Sequence, residues 1–434
     1  MKNLNSIFVA LISLYLSGCG GNPVGATFSS GSVATSSANV ITAKSLAYSA
    51  PLESINYQDV RNLAGTGKGY TLSPADLRTH YSIPSTLNGS GATIAIVDAP
   101  GSIYGSAIST DLNTFSSYYN LPLNTSSNQF FKQIDLSNGT KVVANSTNDW
   151  KQEVALDVEW AHAIAPNANI ILVTAKSSGM ADMMAAVQAA AAQPGVIAIS
   201  MSWGSYEFNG ETGANYDGVL KTLQSAGIVL LASSGDSGNN GTNQQWPAAS
   251  PYVTAVGGTS ITTVAYNLPS VTTELAWFDG GGGASLFEAI PTYQNATTLG
   301  ATVYSLDKTK RLIPDVSYNA DPNKSPVGIV VGSGWFAIGG TSAGAPQWAG
   351  IVALLAQNRI NKKESTMPVL VKSTSGGFNG LIYQAKIDAT GLFDVTSGNN
   401  DTSTKACALC TAGKGYDAAT GLGVPSAANL LALF

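Results

Sequence analysis

The bulk composition already excludes two classes of protein. The chain has 434 residues, of which 44% are hydrophobic and 11% are charged. Typical folded proteins carry roughly 25% charged residues, so a chain this apolar is not intrinsically disordered and is long enough to bury a large core. The net charge of −5 argues against a nucleic-acid partner, because phosphates are bound by basic surfaces.

The N-terminus predicts a signal peptide at residues 1–18. The apolar run from Ile7 to Leu16 is too short for a permanent membrane span and is typical of a signal-peptide core. The following "LSGC" resembles a bacterial lipoprotein cleavage box, with Cys19 as the lipid-modified first residue. The alternative is an ordinary signal peptide with an incidental cysteine. We expect a lipid-anchored protein of the bacterial cell envelope, with Gly20 favouring the outer membrane, or otherwise a periplasmic or extracellular protein.

The rest of the chain divides into a tether and one body. Residues 19–68 are rich in Ser, Ala, Gly and Thr, which predicts a flexible tether. Residues 69–434 form the predicted globular domain, without an internal repeat. No later segment reaches the roughly 18 consecutive apolar residues of a membrane span, so contact with the membrane is expected through the lipid alone.

Within the body, apolar runs alternate with helical patterns. Because most of the runs are continuous rather than alternating, they predict strands buried on both faces of a parallel sheet. The predicted strands are 93–99, 169–175, 196–203, 228–234 and 252–258, and the predicted helices are 105–120, 151–164, 180–192, 213–226 and 342–358. This order predicts an α/β fold, a doubly wound, mostly parallel sheet with helices on both faces.

Ligands of such sheets bind at the carboxyl ends of the strands, and the first candidate loop there is "GGTSAGAP" at 339–346. Its glycines allow a tight turn and a close substrate approach. Ser342 would lie at a helix N-terminus, where free N–H groups favour a developing negative charge. Taken alone, Ser342 is equally an ordinary helix cap.

The second candidate is a pair of acids, Glu153 and Asp157, in "WKQEVALDVEWAHAIAP". Their i, i+4 spacing places both carboxylates on one helix face. A carboxylate beside apolar side chains and a second carboxylate has a raised pKa and can act as a general base in mildly acidic solution. The alternative, with Glu159 as a third acid, is a solvated helix face.

The third candidate loop, "SSGDSGNN", contains Asp236 and Ser237. "GDSG" is typical of the nucleophile loop of trypsin-type proteases, but such a serine needs a histidine base. The chain has only His80 and His162, and neither is in a matching motif. The alternative is a Gly-rich turn with no catalytic role.

The remaining cysteines, Cys407 and Cys410, form a C-x-x-C pair. In a cytosolic protein this pattern could be redox-active or half of a zinc site. Because no second pair exists and the predicted compartment is oxidising, a local structural disulfide is favoured.

Together these motifs resemble the sedolisins, or serine-carboxyl peptidases, which have a subtilisin-like fold. "GGTSAGAP" is similar to the Gly-Thr-Ser-x-x-x-Pro loop that subtilisins and sedolisins share, the His-Gly-Thr-His helix of subtilisins is missing, and the sedolisin Glu-x-x-x-Asp pattern is present. "SSGDSG" matches the sedolisin loop whose aspartate helps to form the oxyanion hole. The resemblance covers about residues 70–434 and includes "TIAIVDAPGS", "SMSWG", "WPAASPYVTAVGGTS", "IPDVSYNADP" and "GKGYDAATGLGVP".

The resemblance implies a serine-type endopeptidase that acts on polypeptides and favours acidic pH. Ser342 would be the nucleophile, Glu153 the general base and Asp157 its hydrogen-bonded partner. Asp236 would donate a hydrogen bond to the oxyanion, which a carboxyl group can do only while it is neutral. Residues 200–204 and 280–285 would line the cleft, where a substrate strand could pair.

The resemblance also implies one structural Ca²⁺ near the C-terminus. Its ligands would be the Asp394 and Asp417 carboxylates, a water, and the carbonyls of Val395, Gly413 and Gly415, an oxygen shell that suits Ca²⁺. The alternative is two turn-forming aspartates in Gly-rich loops.

One departure from the family concerns activation. Sedolisins typically carry a long folded N-terminal activation domain, whereas about 50 tether-like residues follow Cys19 here. Control by zymogen cleavage is therefore in question. The alternative function is an inactive binding or adhesion lipoprotein on a protease scaffold, and a monomer is expected in either case.

Overall fold

The computed structural model describes residues 44–45 and 71–434, apart from 103–105, 140–149, 240, 242–243, 264–272, 333, 388–390, 403–406 and 408. The chain divides into Met1–Asn39 and Val40–Phe434, and only the second unit contains described residues. The predicted signal peptide, the lipidation site Cys19 and nearly all of the predicted tether lie outside them. In the described part, no helix is long and apolar enough to cross a bilayer.

The strands are short, and eight of the seventeen described strands lie in one sheet. They are β1 Lys44–Ser45, β2 Thr93–Asp98, β3 Phe131–Asp135, β4 Asn169–Thr174, β5 Val196–Met201, β6 Trp203–Tyr206, β7 Val229–Ser233, β8 Gln245–Trp246, β9 Thr254–Ile261, β10 Glu274–Ala276, β11 Gly283–Ala289, β12 Lys310–Ile313, β13 Val316–Asn319, β14 Val327–Val331, β15 Gly334–Ile338, β16 Leu392–Phe393 and β17 Val424–Pro425.

The helices follow the predicted alternation with the strands. They are α1 Pro74–His80, α2 Ser106–Tyr119, α3 Lys151–Ile164, α4 Met180–Ala191, α5 Asp217–Ser225, α6 Ala296–Leu299, α7 Ala301–Leu306, α8 Gly344–Asn361, α9 Met367–Ser373, α10 Gly377–Ile387 and α11 Ala427–Leu433, with a 3₁₀ turn at Thr341–Ala343 before α8.

The central sheet has eight strands in the order β10-β9-β7-β5-β2-β4-β3, with β13 also paired to β9. Its strand pairs are parallel, except for the antiparallel β9–β10 pair. The predicted doubly wound, mostly parallel α/β fold is therefore confirmed. Two helix starts differ from the prediction: α5 begins at Asp217, because residues 210–216 form hydrogen-bonded turns, and the turn at 341–343 precedes α8.

Side chains of β2 show that both faces of the sheet are covered. Ile94 and Ile96 belong to one hydrophobic core, with α3 and α8. Ala95 and Val97 point the other way, into a second core with α4. This alternation is what a strand buried on both faces requires.

The helices α3 and α8 pack closely against each other, and this contact positions the site. A Cβ atom at Gly350 would lie 2.7 Å from Cβ of Ile164. Glycine therefore allows the helix that follows the 341–343 turn to approach the helix that carries the paired acids.

Candidate active site

Ser342 lies in the tight turn between β15 and α8. The turn needs glycine at Gly340, whose φ of 108° is costly for any residue with a side chain. Ser342 is fully buried, and its Oγ donates to the carbonyl oxygen of Ser202 at 3.4 Å. Its hydroxyl is thus aimed at the backbone just before β6.

Glu153 and Asp157 are buried on the first two turns of α3, with exposed fractions of 1% and 0%. The alternative of a solvated acidic face is therefore wrong. The charge of Glu153 raises the pKa of Asp157, which favours a state in which one of the two is protonated. Asp157 Oδ1 also accepts from Ser202 Oγ at 2.8 Å, and that Oγ lies 3.3 Å from the carbonyl oxygen of Ser342. Ser202 thereby connects the acids to the turn that carries Ser342.

Asp98, at the carboxyl end of β2, is a third buried carboxyl group and is not among the predicted site residues. It is 0% exposed, and neither of its oxygens has a hydrogen-bond partner in the described part of the chain. Burial raises the pKa of Asp98 to about 8. The sequence feature that indicates Asp98 is a single acid at the end of a buried apolar strand, at the sheet edge where ligands bind.

The pKa of Asp157 is raised well above its ordinary range. Burial is the largest cause, followed by the charges of Asp98 and Glu153, while the hydrogen bond from Ser202 opposes them. Such clustered carboxyl groups retain protons that isolated ones lose. The site can therefore hold a proton and transfer it to and from a reacting group.

Asp236 contacts the turn that carries Ser342. It is half-buried in the loop after β7. Its Oδ1 accepts from the backbone N–H and from Oγ1 of Thr341, each at 2.8 Å. Ser237 instead is exposed, and its carbonyl accepts from Thr402. The structure therefore brings Asp236, and not the Ser237 side chain, beside the residue that precedes Ser342.

The glycine-rich segment at 280–285 adjoins this loop. Gly281 N–H donates to the Gly235 carbonyl at 2.7 Å, and Ser234 Oγ donates to the Gly281 carbonyl at 2.7 Å. A Cβ atom at Gly281 would lie 2.4 Å from the Ser234 carbonyl oxygen. Glycine is required at this position by the close approach of the two backbones.

Both histidines have structural contacts away from these residues. His80 Nε2 lies 2.8 Å from Glu274 Oε2. His162 stacks on Phe130, its Nε2 lies 3.0 Å from the Pro122 carbonyl oxygen, and burial lowers its pKa to about 4. A histidine is therefore not the base at this site.

The two predicted calcium-binding aspartates, Asp394 and Asp417, both contact the segment 413–415. Gly415 N–H donates to Asp394 Oδ2 at 2.8 Å, and Gly413 N–H donates to Asp417 Oδ2 at 2.9 Å. A Cβ atom at either glycine would meet nothing within 4 Å, so there is open space beside both. Lys386 Nζ, 3.1 Å from Asp394 Oδ1, supplies a positive charge there.

Carboxylate and carbonyl oxygens are the ligands that Ca²⁺ prefers. Thr420 Oγ1 lies 3.5 Å from the Val395 carbonyl oxygen and 3.1 Å from Asp417 Oδ1, so this carbonyl lies in the same region as Asp417. No group of three or more His, Cys, Asp or Glu side chains that could hold a metal occurs among the described residues. The ion would thus depend on backbone carbonyls. Cys407 and Cys410 form a disulfide in the preceding loop.

The fold agrees with comparisons to known proteins. The model of the subtilase family, peptidase S8, matches residues 89–404, and the chain belongs to this family. The chain is 31% identical to kumamolisin of Bacillus sp. (strain MN-32) over 390 residues, covering 86% of the chain and 65% of that protein. It is 27% identical to sedolisin of Pseudomonas sp. (strain 101), covering 84% and 60%.

A solved structure supports the fold. Pseudomonas sedolisin, a serine-carboxyl proteinase complexed with two molecules of pseudo-iodotyrostatin, superposes with a TM-score of 0.68 at 24% identity, over 84% of this chain and 98% of that one. The chain spans less than two thirds of the length of kumamolisin and of sedolisin.

Proposed function

We propose that this protein is a serine-carboxyl endopeptidase of the sedolisin type, which hydrolyses peptide bonds in polypeptides at acidic pH. One observation carries the proposal. The buried pair Glu153 and Asp157 is connected through Ser202 to the turn that presents Ser342. His80 is paired with Glu274, and His162 contacts the Pro122 carbonyl oxygen. The buried carboxyl groups are therefore the proposed bases.

In the proposed mechanism, Ser342 Oγ attacks the peptide carbonyl carbon while Glu153 takes its proton. The C–N bond breaks, and Glu153 returns the proton to the leaving amine. Water, deprotonated by Glu153, then hydrolyses the ester and restores Ser342. Asp157 orients Glu153 and shares its proton, and neutral Asp236 donates to the oxyanion.

The role of Asp236 gives a test of the pH dependence. An amide at this position donates N–H without titrating, so Asp236→Asn should remove the part of the fall in kcat/KM with rising pH that comes from ionisation of Asp236. Asp236→Ala, which has no donor, should lose roughly 10²–10³-fold in kcat. The measurement is cleavage of a denatured protein from pH 3 to 8. A neutral optimum that neither variant changes would rule out this role.

Asp98 is expected to set the upper pH limit of activity. Its charge raises the pKa of Asp157, so Asp98→Asn should move the alkaline limb of the kcat/KM profile down by about one pH unit. Glu159→Gln is the matched control on α3, because Glu159 points away and accepts from Val330 N–H. An equal shift in both variants would contradict the assignment.

If Ca²⁺ binds, the Asp394 and Asp417 carboxylates would hold it, and its positive charge would link the two C-terminal loops. Chelation is expected to lower Tm by roughly 5 °C or more, and added Ca²⁺ should restore it. Asp394→Asn and Asp417→Asn should abolish this response, whereas Asp182→Asn on α4 should keep it. Isothermal titration with Ca²⁺ measures the same difference directly, and unchanged binding in both loop variants would refute the ligand assignment.

Anchoring through Cys19 in the cell envelope, with the outer membrane preferred, is part of the proposal and rests on the sequence alone. Cys19→Ala should move the protein from the membrane fraction to the soluble fraction. An inactive binding lipoprotein would instead cleave no protein substrate at any pH.

A further inference from the structure

A buried asparagine of the C-terminal region, Asn400, joins three segments around the candidate active site. It is 0% exposed. Its Nδ2 donates to the carbonyl oxygen of Gly280 at 2.8 Å and to that of Ala418 at 3.1 Å. Its own carbonyl oxygen accepts from Asn239 N–H at 2.7 Å, in the loop that carries Asp236. One residue therefore connects the loop after β7, the segment before β11 and the segment before β17.

The first two of these segments are also bonded directly to each other. Gly238 N–H donates to the Asp279 carbonyl at 2.7 Å, and Gly281 N–H donates at 2.7 Å to the carbonyl of the residue before Asp236. These two bonds lie on either side of Asp236 in the sequence. Asn400 bonds to both segments next to these contacts, so it helps to fix the position of the loop and of the Asp236 carboxyl group.

The backbone of Asn400 is itself held by the loop that contains the disulfide. Asn400 N–H donates to the Cys410 carbonyl at 3.0 Å, and Cys410 is bonded to Cys407. Ala412 N–H donates to the Gly398 carbonyl at 3.0 Å. The strand-like contact between these two stretches gives the Asn400 side chain a fixed starting point.

Thr402 extends the contact with the loop of Asp236. Its N–H donates to the Asn239 carbonyl at 3.3 Å, and its Oγ1 donates to the Ser237 carbonyl at 3.1 Å. Ser237 directly follows Asp236. The segment 400–402 therefore holds this loop at two carbonyls and one N–H group.

We propose that Asn400 is a positioning residue for Asp236, which it holds so that the carboxyl group faces the oxyanion formed at Ser342. The contacts of Asn400 are to backbone groups of the surrounding segments, so it acts on the transition state through Asp236. A displacement of about 1 Å in a catalytic group can reduce the rate by about 10²-fold. The inference rests on the proposed peptidase function and adds a residue to that same site.

The first test is Asn400→Ala, which removes both side-chain donors. It should lower kcat for cleavage of a denatured protein at acidic pH by about 10- to 100-fold, with KM changed by less than about twofold. Asn399→Ala is the matched control, because the neighbouring side chain is exposed, and it should retain the wild-type kcat and KM. A higher KM with an unchanged kcat would show that Asn400 acts on substrate binding, and the proposal would be wrong.

The double variant Asn400→Ala with Asp236→Ala tests the route of the effect. If Asn400 acts through Asp236, the double variant should be at most about twofold slower than Asp236→Ala alone. Losses that multiply would mean that Asn400 has a general structural role, and they would contradict the proposal.

Thr402→Val repeats the test without a buried change. Valine keeps the branched shape and removes the O–H donor to the Ser237 carbonyl, and the exposed position should let the variant fold. Its kcat should fall about two- to fivefold, and it should have no effect when Asp236 is already alanine. Tm of each variant shows whether it is folded at the assay temperature, so Thr402→Val decides the question if Asn400→Ala does not fold. An unchanged kcat in Thr402→Val would then refute the positioning role.

The wild type separates this inference from the proposed function. If the wild type and Asn399→Ala cleave the denatured protein and folded Asn400→Ala cleaves it equally fast, the positioning role is refuted and the peptidase function stands. If the wild type cleaves no protein at any pH, the proposed function itself fails.

Discussion

Ser342→Ala is expected to reduce peptide hydrolysis by about 10⁴-fold or more, with little change in Tm. The hydroxyl is the proposed nucleophile, and its removal eliminates the covalent route. Ser237→Ala is the matched control: it changes the serine of the "GDSG" sequence, whose side chain is exposed, and it should retain wild-type kcat/KM. The measurement is initial-rate cleavage of a denatured protein at acidic pH.

Glu153→Gln extends this prediction to the base. This substitution should reduce the rate of peptide hydrolysis by a similar factor, because a neutral amide cannot accept the Ser342 proton. The double variant Ser342→Ala with Glu153→Gln should be no slower than either single variant, since residues that act in one step are not additive. Cleavage that survives Ser342→Ala would mean that another residue is the nucleophile, and additive losses would separate Glu153 from Ser342.

The sheet and its helices could be predicted because their signal is local. The apolar run at 93–99 and the helical pattern at 151–164 each depend on neighbouring residues in the sequence. They correspond to β2 and α3. The i, i+4 spacing likewise predicts that Glu153 and Asp157 share one helix face, because this spacing depends on helix geometry alone.

Asp98 and Ser202 were missed because their roles depend on packing between distant segments. Asp98 influences Asp157 only because α3 packs against β2, and Ser202 meets Ser342 only because β6 begins beside the 341–343 turn. The pairing of β1 with β6 has the same origin, because it joins two segments that are far apart in the chain.

A second group of buried acids, outside the active site, makes stability depend on pH. Burial raises the pKa of Glu211 to about 9 and that of Glu288 to about 8. The charge of Glu207 also raises the pKa of Glu211, and the charge of Asp217 raises that of Glu288. Glu207 in turn accepts from Leu286 N–H at 2.8 Å. These acids connect the segment after β6 to β11. Arg311, a nearby cation, is paired with Asp315.

The sign of the effect follows from proton binding. In the unfolded chain these carboxyl groups ionise at about pH 4–4.5, whereas the folded protein keeps their protons up to about pH 8–9. Between these limits the folded state binds more protons, so its stability falls as pH rises. Their contribution is complete below about pH 4 and is lost as pH passes through the folded pKa values. Asp98, with a pKa of about 8, acts in the same direction.

Tm is therefore expected to be lower at pH 9 than at pH 5 by roughly 10 °C or more. Thermal scans from pH 4 to 9 measure this, and the double variant Glu211→Gln with Glu288→Gln should flatten the curve because its amides do not titrate. Glu364→Gln, at a half-exposed ion pair with Arg359, should leave the slope unchanged. A Tm that is constant or rises toward pH 9 would show that the folded protein does not retain these protons.

Since the same loss of protons would disable the Asp98–Asp157–Glu153 cluster, stability and proposed activity should both decline toward alkaline pH. The double variant separates the two, because it should recover stability above pH 8 without recovering activity.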